Sequence, residues 1–532
     1  MSLALAPIFA SGMILQRELP VRVWGTAEPG ASVEVHIQWQ AVTAVADTQG
    51  NWSCTFAPLH ASDAEKLEVR AGDERITLSD VAVGEVFVAA GQSNMEFWMR
   101  YDQDAEEFRP TCANPRIRFY DQPKCSYPGQ TEDFDYSKVG IWRKATPEDL
   151  DYFSAVGYYF ARGMEMVLDV PVGIVGCNYG GTKSSAWMTS EHARVVQPEQ
   201  VAAFEAQLQG LPYEELLANG RLNVDKNDKG YATWPAWNDF FLGGTPSVEE
   251  GRAFMANLVA DAVASADAVA SADAASSDAA AEVQLKPGMM TPTKEAPGAL
   301  FTYMVLPIAG FTTRGVLWYQ GESDDEDDGA QVRHAEALRT IIADWREAWQ
   351  RADLPFLVVQ LPGFGSWDSM GLDAHDWPTI RACQQQVTDE DGHAWLCSIG
   401  DLGDKHDIHP KEKKPVGERL SLLALRHLLG MGVPADAPRC IGAERKGPWV
   451  ILHFEHADGG LVLAGAEVNA LELLHDGESV PFQAGTRGDR LVIVPDEPTT
   501  DPLEVRFAQT NWYRTNLYNG AEIPVLPFSL TC

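Results

Sequence analysis

A serine placed directly after a short apolar run is the first residue with chemical potential. Val86-Phe87-Val88-Ala89-Ala90 leads straight into Gly91-Gln92-Ser93-Asn94-Met95-Glu96. A Ser in a strand-to-helix turn holds its hydroxyl at the strand's carboxyl end, where open α/β sheets form their ligand crevice. Backbone N–H groups at the start of the following helix can stabilise a developing oxyanion. A helix N-cap serine has the same local pattern, so this motif alone leaves both readings open.

A second cluster is Asp401-Leu402-Gly403-Asp404-Lys405-His406-Asp407-Ile408-His409-Pro410. Asp407 and His409 are two apart. In a turn, that spacing brings a carboxylate to an imidazole, fixes its tautomer and frees Nε2 to take a serine proton. A His/Asp metal cluster built on His406, Asp407 and His409 is the rival reading, because both residue types are good ligands. A third site is Trp318-Tyr319-Gln320-Gly321-Glu322-Ser323-Asp324. There Gln320 could donate its amide to an oxyanion, and Glu322 could be a buried orienting carboxylate or a second acid. A fourth is Asn178-Tyr179-Gly180-Gly181-Thr182-Lys183, whose glycines let the backbone approach a substrate closely. It lacks the spacing of a phosphate-binding loop.

The elements that must position these residues are legible as alternating patterns. Near-continuous apolar runs at 86–90, 172–176, 315–319, 356–360 and 394–399 fit strands covered on both faces. Between them, Phe153, Val156, Gly157 and Phe160 share a helical face, as do Leu338, Ile341, Ile342, Trp345 and Trp349. Strand and helix in alternation predict a parallel, three-layer α/β domain. Residues 1–80 read as a β-module, with Val21-Arg22-Val23-Trp24 and Ser32-Val33-Glu34-Val35-His36-Ile37 separated by turn signals. From about 433 the chain turns β again. The expected division is therefore an N-terminal β-module (1–80), a core in two parts (81–200 and 296–432), an insertion (201–295) and a C-terminal β-module (433–532). The insertion holds an Ala/Ser/Asp tract around 260–271, whose composition suits a solvated linker.

Bulk properties narrow the function. The 532 residues are too many for one core. With 41 basic and 76 acidic residues the formal charge is −35. Such a field repels phosphate backbones and anionic membrane surfaces, so nucleic acid and membrane are not expected partners. No run approaches the roughly 20 apolar residues of a membrane span. The opening residues lack the basic region of a signal peptide. That fits a cytoplasmic chain, or an exported one whose leader has been removed. The eight cysteines are scattered without metal-finger spacing, and no metal or cofactor is expected.

Taken in order, Gly91-Gln92-Ser93-Asn94-Met95-Glu96, Gly180-Gly181-Thr182 with Ala186-Trp187, Trp318-Tyr319-Gln320-Gly321-Glu322-Ser323-Asp324 and Asp407-Ile408-His409-Pro410 resemble the sialate O-acetylesterases, a branch of the SGNH hydrolases. The stretch Phe153-Ser154-Ala155-Val156-Gly157-Tyr158-Tyr159-Phe160 is similar to that family too. The resemblance covers roughly 80–200 and 295–430. It implies a three-layer α/β/α, flavodoxin-like core flanked by β-sandwich-like modules. It also implies a carboxylic ester hydrolase that removes acetyl groups from a carbohydrate, most specifically 9-O-acetylated sialic acid, without a cofactor. Carried over residue by residue, Ser93 is the nucleophile, His409 the base and Asp407 its orienting carboxylate. The Ser93 and Gly181 amides with the Gln320 side chain form the oxyanion hole, and Glu322 lends support. Asp404 stays a rival for the third triad position. An acetylxylan or other glycan acetylesterase is the neighbouring alternative, and a non-catalytic carbohydrate-binding protein is the alternative of another class. The oligomeric state is not legible.

Overall fold

The computed structural model describes residues 2–127, 139–208, 213, 239–244, 246–254, 256–257, 293–499 and 501–532. The Ala/Ser/Asp tract of the insertion lies outside the described residues.

The chain is mixed α/β. Its central sheet is built from β1 (Glu74–Gly91), β2 (Asn114–Asp121), β3 (Trp142–Ala145), β4 (Val172–Asn178), β5 (Gly315–Tyr319), β6 (Phe356–Val359) and β7 (Ala394–Cys397), in the spatial order β3-β2-β4-β1-β5-β6-β7. All neighbours pair in parallel except the edge strand β3, which runs antiparallel to β2. The apolar runs are continuous because both faces are buried. On one face Val86, Val88, Ala90, Val316 and Trp318 pack with Leu338, Ile341, Ile342 and Trp345 of helix α3 (His334–Ala348). On the other, Phe87, Ala89, Leu317 and Tyr319 pack with α2 (Ala155–Leu168) and α5 (Lys414–Leu423). Helix α4 (Trp377–Glu390) contributes to both clusters, with Cys383 and Val387 on one and Trp377 and Ile380 on the other.

Strand β1 joins the N-terminal sheets to this core. Its first half alternates between exposed and half-buried positions and pairs antiparallel with Ser62–Ala71; from Val81 onward every residue is buried. The change follows the sequence, which passes from Glu-Arg-Ile-Thr-Leu-Ser-Asp to a small and apolar run interrupted by Glu85, itself fully buried. The last hundred residues form antiparallel sheets around a separate apolar cluster that includes Val450, Leu452, Leu473, Leu491, Ile493 and Val505.

Several ties connect this terminal part to the core, among them those of Arg381 and Asn511. Arg381, 1% exposed, donates to the carbonyls of Pro362, Ala508 and Thr510, with its guanidinium 4.7 Å from the Tyr513 ring. Asn511 donates to the carbonyls of Ala374 and His375 and accepts from the Trp377 N–H. Tyr513 closes against Gly363 and Gly400, where a Cβ would stand 2.0 Å from its carbonyl oxygen and 2.8 Å from its hydroxyl.

Candidate active site

β1 ends at Gly91, and the four-residue helix α1 (Ser93–Glu96) follows at once. Gly91 has φ +132°, and a Cβ there would lie 2.0 Å from the Tyr319 carbonyl oxygen. Only glycine allows the chain to turn so tightly beside β5. The Gln92 N–H then donates to Tyr319 O at 3.0 Å, which fixes where Ser93 emerges. Helix α2 braces the turn from below. Its N-cap, Ser154, accepts from the Gly157 N–H at 3.0 Å and donates to Met95 O at 2.6 Å.

The histidine arrives on the loop after β7. His409 Nε2 stands 2.8 Å from Ser93 Oγ, and the ring is 3% exposed. Trp367 meets it edge-on, with ring centroids 4.8 Å apart. Burial, with the charges of Lys413 and Lys411 nearby, holds the imidazole pKa well below its ordinary value. The ring is therefore neutral at physiological pH and able to accept a proton.

Asp407 lies beneath the ring. Its Oδ1 is 3.8 Å from His409 Nδ1, and the same oxygen accepts the His409 backbone N–H at 2.8 Å. Nδ1 itself has no hydrogen-bond partner among the described residues. Burial pushes the Asp407 carboxyl up to about 6, against the His409 backbone hydrogen bond and the charge of Lys411. Asp404, the rival, is exposed and accepts the His406 N–H at 2.8 Å, away from the ring. His406 is also turned outward, its Nδ1 2.9 Å from Asp368 Oδ2. His406 and His409 thus face different partners, and no group of three or more His, Cys, Asp or Glu that could hold a metal ion occurs among the described residues.

The Gly180-Gly181 turn forms the opposite wall. A Cβ on Gly180 would be 3.2 Å from the Ser93 Cβ, and Gly181 has φ +64°. The turn is held by three bonds, two of them buried. Gly180 N–H donates to Glu96 Oε2 at 2.6 Å, Lys294 Nζ to Gly180 O at 2.6 Å, and Trp187 Nε1 to Thr182 Oγ1 at 3.0 Å. Among the described residues the Ser93 and Gly181 amides have no acceptor, so both are available to an incoming group. Ser93, Gly180, Gly181, Trp98, Trp367 and His409 all line one cavity of about 160 Å³.

Gln320 is not where the sequence reading put it. It is fully buried and lines neither this cavity nor the larger one beside it. Its amide donates to Asp324 Oδ1 at 3.2 Å and to Thr182 O at 3.4 Å. The physical reason is Asp324, a carboxylate with no solvent contact that must collect donors. It also takes the Ser184 N–H, the Gln200 amide and His334 Nδ1. Trp187 is likewise fully buried, while Trp98 does line the cavity. Two arginines in this part of the chain are already engaged: Arg381 is bound to backbone carbonyls and Arg100 is paired with Asp239.

Glu322 is buried and accepts from Asn94 Nδ2 at 2.6 Å; burial raises its pKa. The same amide donates to Ile408 O at 3.0 Å, which ties the serine helix to the histidine loop. Sequence reading missed the third member of this group. Lys413, 1% exposed, donates to Asn94 Oδ1, and its ammonium is 4.6 Å from the Phe97 ring. Burial lowers its pKa to about 7, against the pull of Glu322, Asp407 and Asp102.

The chain is similar to known carbohydrate esterases. Residues 294–418 match the family model of carbohydrate esterases described as sialic acid-specific acetylesterase. The sialate O-acetylesterase of Mus musculus is 24% identical over 447 residues, 77% of this chain and 70% of that protein. The Homo sapiens protein of the same name is 22% identical over 441 residues, 77% of this chain and 68% of its own length. A carbohydrate acetylesterase from Xanthomonas citri, known from its crystal structure, superposes with a TM-score of 0.72 at 25% identity and covers 99% of both chains. The matching family model over residues 294–418 and the full-length similarity to a carbohydrate acetylesterase make the chain similar to the sialate O-acetylesterases, and the chain is a carboxylic ester hydrolase.

Proposed function

We propose that the protein is a serine esterase that releases acetate from an O-acetylated carbohydrate through an acetyl-Ser93 intermediate. One observation carries the reading: Ser93 Oγ lies 2.8 Å from a buried His409 Nε2 in a cavity that also holds the Gly180-Gly181 turn. Ser93 attacks the acetyl carbonyl while neutral His409 removes its proton. The tetrahedral oxyanion is received by the Ser93 and Gly181 amides, each donor of this kind contributing about 3 kcal/mol. Gln320 supports that hole from behind, through its bond to the Thr182 carbonyl. His409 then passes the proton to the sugar oxygen, the alcohol leaves, and water repeats the sequence on the acetyl-enzyme.

Asp407 is the orienting carboxylate. It closes the 3.8 Å gap to Nδ1 as positive charge develops on the ring, since catalytic hydrogen bonds often tighten only in the reacting complex. Glu322 acts at one remove, holding Asn94 and through it the loop that carries His409.

The fold that serves this chemistry is a three-layer SGNH-type core, interrupted by the insertion and flanked by β-sandwich-like modules divided near residues 80 and 433. Helices on both faces of a parallel sheet support it. The substrate we assign is 9-O-acetylated sialic acid, by analogy with the family's named members; acetylated xylan is the second reading, favoured by the similarity to the broader carbohydrate acetylesterase.

The test is acetate release from 9-O-acetylated sialic acid and from acetylated xylan, by wild type and Ser93→Ala, with and without chelator. Release that vanishes in Ser93→Ala and ignores chelator supports the mechanism. Activity that survives Ser93→Ala, or disappears with chelator, contradicts it.

A further inference from the structure

Beside the cavity over Ser93 lies a second one of about 620 Å³, and Trp367 and His409 line both. The smaller space, about 160 Å³, falls below the roughly 300–1,000 Å³ of typical ligand sites. The larger space falls inside that range. In a serine–histidine hydrolase the acyl oxygen faces the oxyanion amides, while the leaving alcohol lies toward the histidine that protonates it. Here the amides of Ser93 and Gly181 bound the small cavity, and the large one opens on the His409 side. The sugar that leaves, with whatever is attached to it, is therefore directed into the large cavity.

The wall of that cavity mixes apolar side chains such as Trp367 and Leu402 with charged ones of both signs, including Asp404, Lys411, Glu412 and Arg514. Lys411 is already engaged, its Nζ donating to the carbonyls of Leu242 and Gly244 at 2.6 and 2.7 Å. Arg514 is not. Its side chain is 58% exposed, its ion-pair partner Glu412 is 3.9 Å away, and its guanidinium makes no hydrogen bond among the described residues. The backbone that presents it is nevertheless fixed. Tyr513 is buried against the Arg381 guanidinium, and the Thr515 N–H donates to Gly400 O at 3.1 Å. The held backbone places the guanidinium at the cavity wall with its donors open, so that only the side chain, and not the chain that carries it, remains to be ordered on binding.

We propose that the large cavity is a subsite for the sugar units beyond the acetylated one, and that Arg514, supplied by the C-terminal segment, is its specificity-determining residue. The ligand class is an oligosaccharide. Its hydroxyls accept from the guanidinium and donate to the Asp404 and Glu412 carboxylates, each group doing what its chemistry allows. The preferred substrate is thus an acetylated oligosaccharide rather than a free acetylated monosaccharide. This inference rests on the serine-esterase reading for the side on which the sugar leaves.

The test reads binding, so that it stands apart from the catalytic mechanism. The full chain carrying Ser93→Ala is titrated calorimetrically with acetylated xylotetraose and O-acetylated sialyllactose, each against its acetylated monosaccharide. The same titrations are run with Arg514→Ala added, and a thermal melt checks the fold. At least one oligosaccharide should bind about tenfold more tightly than its monosaccharide, the increment of a single charged hydrogen bond, and Arg514→Ala should remove that margin. The oligosaccharide that shows it identifies the glycan. Equal binding of oligosaccharide and monosaccharide, or a margin that survives Arg514→Ala, overturns the proposal. Failure of the esterase reading shows separately, as acetate release that persists in Ser93→Ala.

Discussion

Replacing Asp407 with asparagine separates what its charge does for the reaction from what it does for the fold. The amide oxygen can still accept the His409 backbone N–H that Oδ1 accepts now, so the loop keeps its hydrogen bond and loses only the charge. At 3.8 Å from Nδ1, a unit charge in an effective dielectric of about 20 stabilises an imidazolium by about 4 kcal/mol, or roughly 10³-fold in rate. Asp407→Asn should therefore lose about 10³-fold in kcat. The carboxyl titrates near 6 when folded, above its unfolded value, while His409 titrates well below its ordinary value. Wild-type kcat/KM should accordingly rise as pH passes through about 6, and the variant should lack that limb. The sign for stability is opposite. The folded state holds this proton more tightly, so stability falls as pH rises from about 4 to about 6 and the charged form costs up to about 3 kcal/mol above that window. Asp407→Asn should then melt at a higher temperature than wild type at pH 8. Steady-state pH profiles and thermal melts decide the matter. A loss below tenfold with an unchanged profile, or a variant that melts lower at pH 8, would refute the orienting role.

Three further outcomes follow from contacts around the site. Gly91→Ala brings a Cβ to 2.0 Å from Tyr319 O at φ +132°; it should cost at least about 3 kcal/mol, read as a drop in Tm or loss of soluble protein. Asn94→Ala removes the donor to buried Glu322 and to Ile408 O. It should cost about 2–4 kcal/mol and lower kcat as well, because the histidine loop is released; a melt shift with unchanged kcat would show that Asn94 serves the fold alone. Arg381→Ala strips the carbonyls of Ala508 and Thr510 of their donor. It should destabilise by about 3 kcal/mol, and differential scanning calorimetry should show the C-terminal part melting ahead of the core.

Five of the parallel strands were legible because burial on both faces leaves a nearly unbroken apolar run, as at 86–90 and 315–319. Helix α2 was legible because its polar positions fall on one side. Helices α4 and α5 were not, since each buries polar residues that interrupt the apolar stripe: Arg381 and Gln384 in one, Arg419 and Ser421 in the other. Strands β2 and β3 were also missed, their arginines Arg118 and Arg143 disguising positions that turn out to be buried. Ser93 and His409 could be read from their places after strands, and the structure brings them to hydrogen-bonding distance. Gln320 shows the limit of such reading. Position after a strand brought it near the site, but Asp324, four residues on, decides which way its amide faces. Lys413 had no usable signal, because a lysine within Lys411-Glu412-Lys413-Lys414 looks solvated until the fold sets Glu322 and Asn94 against it. Trp367 and Arg514 are distant in sequence from every motif, and only the tertiary structure brings them to the cavities.

In the proposed mechanism Ser93 carries the acetyl group between the two half-reactions. The direct measurement is rapid quenching of wild-type enzyme with an acetyl ester, followed by peptide mass mapping, alongside His409→Ala. An acetylated peptide that contains Ser93 should form in wild type within the first turnover and be absent from His409→Ala. Acetate release at the wild-type rate with no acetyl group on Ser93 would contradict it.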